Sequence, residues 1–162
     1  MAVIIRAFTT DDIELLVRLS LTAWEPVYVS FREVLGPEMY GLVYPDWKQI
    51  QAETVRRVCL HLPATVWVAE VDGTLAGFIA YVLRTDERTG VVHLLAVDPA
   101  FQNQGVGTRL NAFALDRMRE SGMERSELIT GGDPGHAPAR RSYEKAGYSA
   151  LPLVRYYRAL RP

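Results

Sequence analysis

The chain has 162 residues, 49% of them apolar, and its 18 Lys plus Arg stand against 19 Asp plus Glu. That is the length of one domain, with enough apolar side chains for a core that needs no cross-links. The charge balance lacks the basic excess expected of a nucleic-acid or anionic-membrane partner, so any anion site must be local.

Cys59 is the only cysteine. A disulfide framework and a cysteine-based zinc site are therefore excluded. Within Val55-Arg56-Arg57-Val58-Cys59-Leu60 it reads as a small buried hydrophobe. The run Met1 to Arg6 is too short for the apolar region of a secretory signal. No apolar run approaches the roughly 20 residues of a bilayer span. The expectation is a soluble cytoplasmic protein with no metal.

Val3 to Ala7 reads as a short strand. Asp11 with Glu14 three residues on resembles a capping box opening a helix, and Ile13, Leu16, Val17 and Trp24 fall on one face of it. Residues 26 to 62 read as broken helix, punctuated by Pro26, Gly36-Pro37, Gly41 and Pro45. The period then changes. Thr65 to Val71 and Thr74 to Leu83 are β-rich runs joined by Asp72-Gly73, a strong hairpin signal.

Gly90 to Val97 is almost wholly apolar, as in a strand covered on both faces, and Asp98-Pro99 ends it. A helix is expected from about Gly105 to Ser121, with Val106, Leu110, Phe113, Ala114 and Met118 buried and Gly122 just past its end. Glu127 to Thr130 reads as a short strand and residues 131 to 135 as a loop. Ala137 to Ala146 is a helix stopped by Gly147, and Val154 to Leu160 a last strand. This order predicts one mixed α/β sheet with helices on both faces.

The segment Gln102-Asn103-Gln104-Gly105-Val106-Gly107 follows a strand and opens a helix. The first turn of a helix has unpaired N–H groups and about half a positive charge. Glycine lets the backbone approach phosphate oxygens because no Cβ intervenes. A tight-packing loop is the plain alternative. A dinucleotide fingerprint fits poorly, because Leu110 stands where its third glycine belongs and residues 99 to 104 separate strand from glycine. No Gly-Lys-Ser/Thr is present, which excludes a Walker A loop.

Leu95-Ala96-Val97-Asp98-Pro99-Ala100-Phe101-Gln102-Asn103-Gln104-Gly105-Val106-Gly107 resembles motif A of the GNAT superfamily of acyl-CoA N-acyltransferases: a strand ending Val-x-Pro, then Gln/Arg-x-x-Gly-x-Gly/Ala. Ala139-Arg140-Arg141-Ser142-Tyr143-Glu144-Lys145-Ala146-Gly147-Tyr148 resembles motif B, with Tyr148 where Phe is common. Together they cover residues 91 to 148.

The resemblance implies a mostly antiparallel sheet of six to seven strands flanked by helices. It implies acetyl-CoA as cosubstrate, held by Leu95, Ala96, Val97, Gln102, Asn103, Gln104, Gly105, Val106, Gly107, Thr108, His136 and Tyr143. Residues 1 to 162 then form one N-acetyltransferase domain, with an acceptor-side segment at about 11 to 62 and a donor-binding core at about 65 to 162. Dimers are common in the superfamily, so a homodimer is an expectation.

The reaction implied is direct attack of a primary amine on the thioester carbonyl, with backbone N–H near Val97 facing the oxyanion. Tyr143 would lie near the sulfur. A phenol is neutral at pH 7 and can protonate the departing thiolate. Alkyl amines are mostly protonated at that pH, so a base is required. His93, four residues before Val97, shares its face if no bulge intervenes, and an imidazole titrates near neutrality.

Two departures stand out: His136 replaces an asparagine usual seven residues before the tyrosine, and Gly131 stands where some members carry a glutamate base. His136 either replaces the asparagine's hydrogen bond or faces solvent. Arg140 and Arg141 read as solvated. Trp24, Glu25 and Tyr28, with Phe31 and Trp47, are the candidate acceptor-site residues, although aromatics at these spacings are often core. The acceptor expected is a small-molecule or peptide amine. A CoA-binding sensor without turnover is the alternative reading.

Overall fold

The computed structural model describes residues 2–160. Strand β1 (Val3–Ala7) leads through a single 3₁₀ turn into helix α1 (Ile13–Val43), followed by α2 (Trp47–His61). Then come β2 (Val66–Val71), β3 (Thr74–Arg84), β4 (Thr89–Val97), α3 (Val106–Glu120), β5 (Arg125–Glu127) and α4 (Ala137–Lys145). The strands form one sheet in the order β1-β2-β3-β4-β5. The first three pairings are antiparallel and β4 with β5 is parallel.

The cap before α1 differs from the expected Asp11–Glu14 pair. Thr9 N–H donates to Asp12 Oδ2 at 2.8 Å, and Arg6 grips both Asp12 oxygens at 2.8 and 2.9 Å. The helix then runs through Pro26, and its one non-helical residue is Gly36 (φ 76°, ψ 159°). Pro37 restarts it from the first helical position, where a missing N–H costs nothing. The expected break is therefore a kink at Gly36 and a full stop only at Tyr44.

Asp72 and Gly73 both have positive φ (49° and 79°), the two-residue turn that matches strand twist.

Each face of the sheet carries its own core. On one face Leu16, Val17 and Leu19 of α1 and Val55, Val58 and Cys59 of α2 pack on Val66, Val68, Phe78, Ala80, Leu94 and Ala96. On the other, Val106, Leu110, Ala114 and Met118 of α3 pack on Ala69, Val71, Ile79, Tyr81 and Val92. The expected stripe of α3 holds except for Phe113, which lies against Trp67 at 4.7 Å between ring centroids rather than in the buried set.

Two expectations about the sheet are corrected. The described residues form five strands, not six to seven. Val154 to Leu160 is not a strand, and Val154, Tyr156 and Leu160 are exposed. A strand needs a ladder beside it, and β5 offers only three residues, ending at Glu127 rather than reaching Thr130. No described helix is long and apolar enough to cross a membrane.

Candidate active site

The site begins where β4 and β5 part. They pair only over Thr89–Arg125, Gly90–Ser126 and Val91–Glu127. Beyond that point β4 runs on alone to Val97 on this side, an open edge at the carboxyl end of a parallel pair. Open α/β sheets bind ligands in such a crevice.

A bulge sits on this edge. Ala80 pairs with Leu94 and Tyr81 with Val92, so His93 has no partner on β3. Val92 consequently faces α3 while Leu94 faces α1 and α2. The face that His93 was to share with Leu95 and Val97 depended on an unbroken strand, and the strand is broken at His93 itself. His93 is exposed. Leu95 and Val97 pack toward α3, whereas the Ala96 side chain is buried toward α1 and α2. With its side chain buried, Ala96 can meet a ligand at this edge only through its backbone.

The loop after β4 is braced by its own side chains. Gln102 Nε2 donates to Val97 O at 3.1 Å, and Gln104 Nε2 to Ala100 O at 3.0 Å. The two glutamines thus shape the loop. Asn103 (φ 60°) and Gly105 (φ 81°) take the left-handed conformation. Val106 is in the core and anchors the start of α3, while Thr108 is exposed. Among the described residues, none of the N–H groups of Asn103 through Thr108 has a protein acceptor at good hydrogen-bonding geometry.

The glycines of this loop have no packing reason to be glycine. A Cβ on Gly105 would meet nothing within 4 Å, and one on Gly107 only Val97 Cγ2 at 3.4 Å. Six consecutive free N–H groups at a helix start suit a pyrophosphate, so the residues present fit the phosphates of acetyl-CoA.

Tyr143 lies on α4, partly buried, with its ring edge-on to Tyr148 at 5.8 Å. The Tyr148 hydroxyl reaches Ser126 Oγ on β5 at 3.0 Å and Asn111 Oδ1 on α3 at 3.3 Å. Tyr148 therefore fastens α4 to the elements that flank the opening. Burial, with Tyr148 adding to it, pushes the Tyr143 phenol up to about 12.

Before α4, Asp133 caps a 3₁₀ turn by accepting from Gly135 N–H. His136 Nδ1 lies 2.5 Å from Asp133 Oδ1, with side-chain exposures of 16% and 7%, so His136 does not face solvent freely. Burial alone would raise the Asp133 carboxyl, but hydrogen bonds from Ser30 and His136 hold it below its ordinary value. Ser30 is a buried residue of α1, and its Oγ also accepts from Gly135 N–H at 2.9 Å. Arg140 is not solvated as expected: its Nη1 donates to the carbonyls of Gly131 and Asp133. Arg141 is exposed.

The acceptor-side candidates separate. Trp24 packs against the α1–α2 core. Glu25 is exposed and paired with Lys48 at 3.0 Å. Tyr28 instead joins a partly buried aromatic cluster, stacked on Trp47 at 4.0 Å and edge-on to Phe31 and Tyr44 at 5.6 and 5.5 Å. The Phe31 ring lies 5.5 Å from the His136 ring. Ser30, Asp133 and Tyr44 were missed in sequence. For Asp133 the signal was available: an aspartate three residues before a histidine, with Pro-Gly between.

Residues 28–148 match the model of the acetyltransferase (GNAT) family. A mycothiol acetyltransferase of Sanguibacter keddieii is 41% identical over 87 residues, covering 51% of this chain and 27% of the relative. Another, from Beutenbergia cavernae, is 34% identical over 122 residues, covering 75% and 39%. The chain thus spans well under half the length of these relatives. The PaiA N-acetyltransferase from Thermoplasma acidophilum, solved in complex with coenzyme A, shares the fold with a TM-score of 0.74 at 18% identity, covering 93% of this chain and 92% of that one. By its sequence match over both cofactor motifs and by its fold, the chain belongs to the acetyltransferase (GNAT) family, whose chemistry is acetyl-CoA-dependent acyl transfer.

Proposed function

We propose that this chain transfers the acetyl group of acetyl-CoA to a small-molecule primary amine by direct attack. The observation that carries the reading is the run of six free N–H groups from Asn103 to Thr108, beside the open edge of β4. Acetyl-CoA supplies a thioester whose carbonyl carbon accepts the amine and whose sulfur leaves.

The chain's own residues do the rest. The loop at Gln102 to Gly107 holds the pyrophosphate, and the backbone edge of β4 from Leu95 to Val97 orients the acyl arm. Tyr143, neutral far above physiological pH, gives its proton to the departing sulfur. The third of the chain near residues 11 to 62 selects the acceptor through the Tyr28, Phe31, Tyr44 and Trp47 cluster. A flat or partly apolar amine suits such a wall. The relatives named for mycothiol support a small molecule over a protein.

Two measurements test the reading. Thermal unfolding is followed against rising acetyl-CoA, where a ligand of the native state raises stability by about 2.7 kcal/mol at 100 times its Kd. Release of free thiol is then followed against tyramine, spermidine, neamine and an alanyl dipeptide. No thermal shift at millimolar acetyl-CoA removes the assignment. Binding without turnover of any amine points instead to a sensor of the same fold.

A further inference from the structure

We infer that the Asp133–His136 pair, and not His93, is the general base that takes the proton from the attacking amine. The inference rests on the acetyltransferase reading above.

The geometry is that of an oriented imidazole. Asp133 Oδ1 faces His136 Nδ1 at 2.5 Å. Its other oxygen accepts from Gly135 N–H at 3.0 Å, and Ser30 Oγ of α1 accepts from the same N–H at 2.9 Å. Arg140 pins the same loop by its carbonyls. The carboxylate therefore sits in a fixed place, and an ionised carboxylate only accepts. Nδ1 must then carry the hydrogen.

In the neutral ring this leaves Nε2 with its lone pair, and Nε2 has no protein partner among the described residues. The partner on one nitrogen sets the state of the other. An asparagine at this position can donate. Neutral His136, tied this way, can only accept at its free nitrogen, so it is a poor replacement for a cofactor-binding donor and a good proton acceptor.

The placement agrees. The His136 ring lies 5.5 Å from the Phe31 ring, inside the reach of the aromatic cluster assigned to the acceptor. It forms the first residue before α4, the helix that carries Tyr143. Acid and base thus come from one short helix and its cap. His93 has neither an orienting partner nor a buried position, because the bulge turns it out.

The protons balance. As the N–C bond forms, His136 Nε2 takes the proton that leaves nitrogen. As the C–S bond breaks, the Tyr143 hydroxyl gives its proton to sulfur. Transfer of the imidazolium proton through water to the tyrosinate restores both groups. The charged groups around the ring are Asp133 and, through the loop, Arg140. α1 presents the uncharged Ser30 and Phe31.

The decisive variant is H136N, which restores the family's usual side chain. With the fastest amine of the panel, we expect kcat to fall by roughly 10²- to 10⁴-fold, the range of a lost general base, with the acetyl-CoA KM within twofold. The deficit should shrink as pH rises toward the amine's own pKa. H93Q should keep kcat within twofold. Nitrogen-15 NMR of the imidazoles gives a second, activity-free readout: His136 should be the Nδ1–H tautomer, and D133N should abolish that preference.

An H136N enzyme with full kcat overturns the proposal while leaving the acetyltransferase intact, as does an Nε2–H tautomer in the wild type. If acetyl-CoA binds but no amine turns over, the proposal falls together with the enzyme reading. Absence of acetyl-CoA binding in the wild type is the separate failure of the underlying reading.

Discussion

A Cβ on Gly131 would lie 2.4 Å from Nδ1 of His136 and 2.3 Å from Oδ1 of Asp133. The glutamate that some family members carry at this place cannot coexist with the pair found here. The missing carboxylate is the space into which the imidazole and its aspartate fit.

G131A should therefore push the pair apart while leaving the distant loop at Gln102 to Gly107 alone. Displacing a reacting group by about 1 Å costs on the order of 10²-fold in rate. Steady-state kinetics should show that loss in kcat, with the acetyl-CoA KM nearly constant. An unchanged kcat would mean the neighbourhood of Gly131 has no part in the reaction.

Y143F should lower kcat by roughly 10- to 10⁴-fold, with general-acid catalysis setting the range, and leave the acetyl-CoA Kd unchanged. The phenol also links stability to alkali. Its ordinary value is 10.0 and the folded value about 12. The neutral form is favoured on folding, so its stabilisation is complete below pH 10 and is lost as pH rises through 12. Unfolding curves between these limits should be less pH-dependent in Y143F than in the wild type.

Gly107 separates binding from folding. An added Cβ meets only Val97 Cγ2, at an ordinary contact distance of 3.4 Å. G107V should thus fold with a Tm close to the wild type and bind acetyl-CoA at least tenfold more weakly, as isothermal titration would read. Equal affinity would show that the backbone of this loop does not touch the cofactor.

Asp12 carries a structural charge. It is buried, bidentate to Arg6 at 2.8 and 2.9 Å, and accepts Thr9 N–H. Its hydrogen bond with Arg6 holds the carboxyl below the usual carboxylate range. D12N should cost about 2 kcal/mol, the scale of a hydrogen bond to a charged group. A depressed carboxyl stabilises fully above its ordinary pKa near 3.9, and the contribution is lost as pH falls below that. The gap in Tm between wild type and D12N should close in acid.

Much of this arrangement was legible because its signals are local. Asp72-Gly73, Gly122 and Gly147 each mark a positive-φ turn where expected, and the glycine loop and Tyr143 helix follow the family's spacing. The bulge was not legible. Val91, Val92, His93, Leu94 and Leu95 offer no polar alternation to betray a change of face, which is set by what packs above and below.

The Asp133–His136 contact was half written, as an i,i+3 spacing on a Pro-Gly turn. Ser30 was not, since it joins that turn from 105 residues away. The last strand failed for a similar reason. Val154 to Leu160 has β-forming side chains, but strand formation needs a neighbour, and β5 stops too soon.

The extra residue in β4 acts as a phase shift. Positions before His93 count their faces from Thr89, and positions after it count from Leu94, half a period late. Exchanging one apolar side chain for another in this strand is a local event that the two cores can absorb. Deleting a single residue beyond His93 is not, because the apolar side chains that follow it would exchange one core for the other. The strand is tolerant in composition and unforgiving in length.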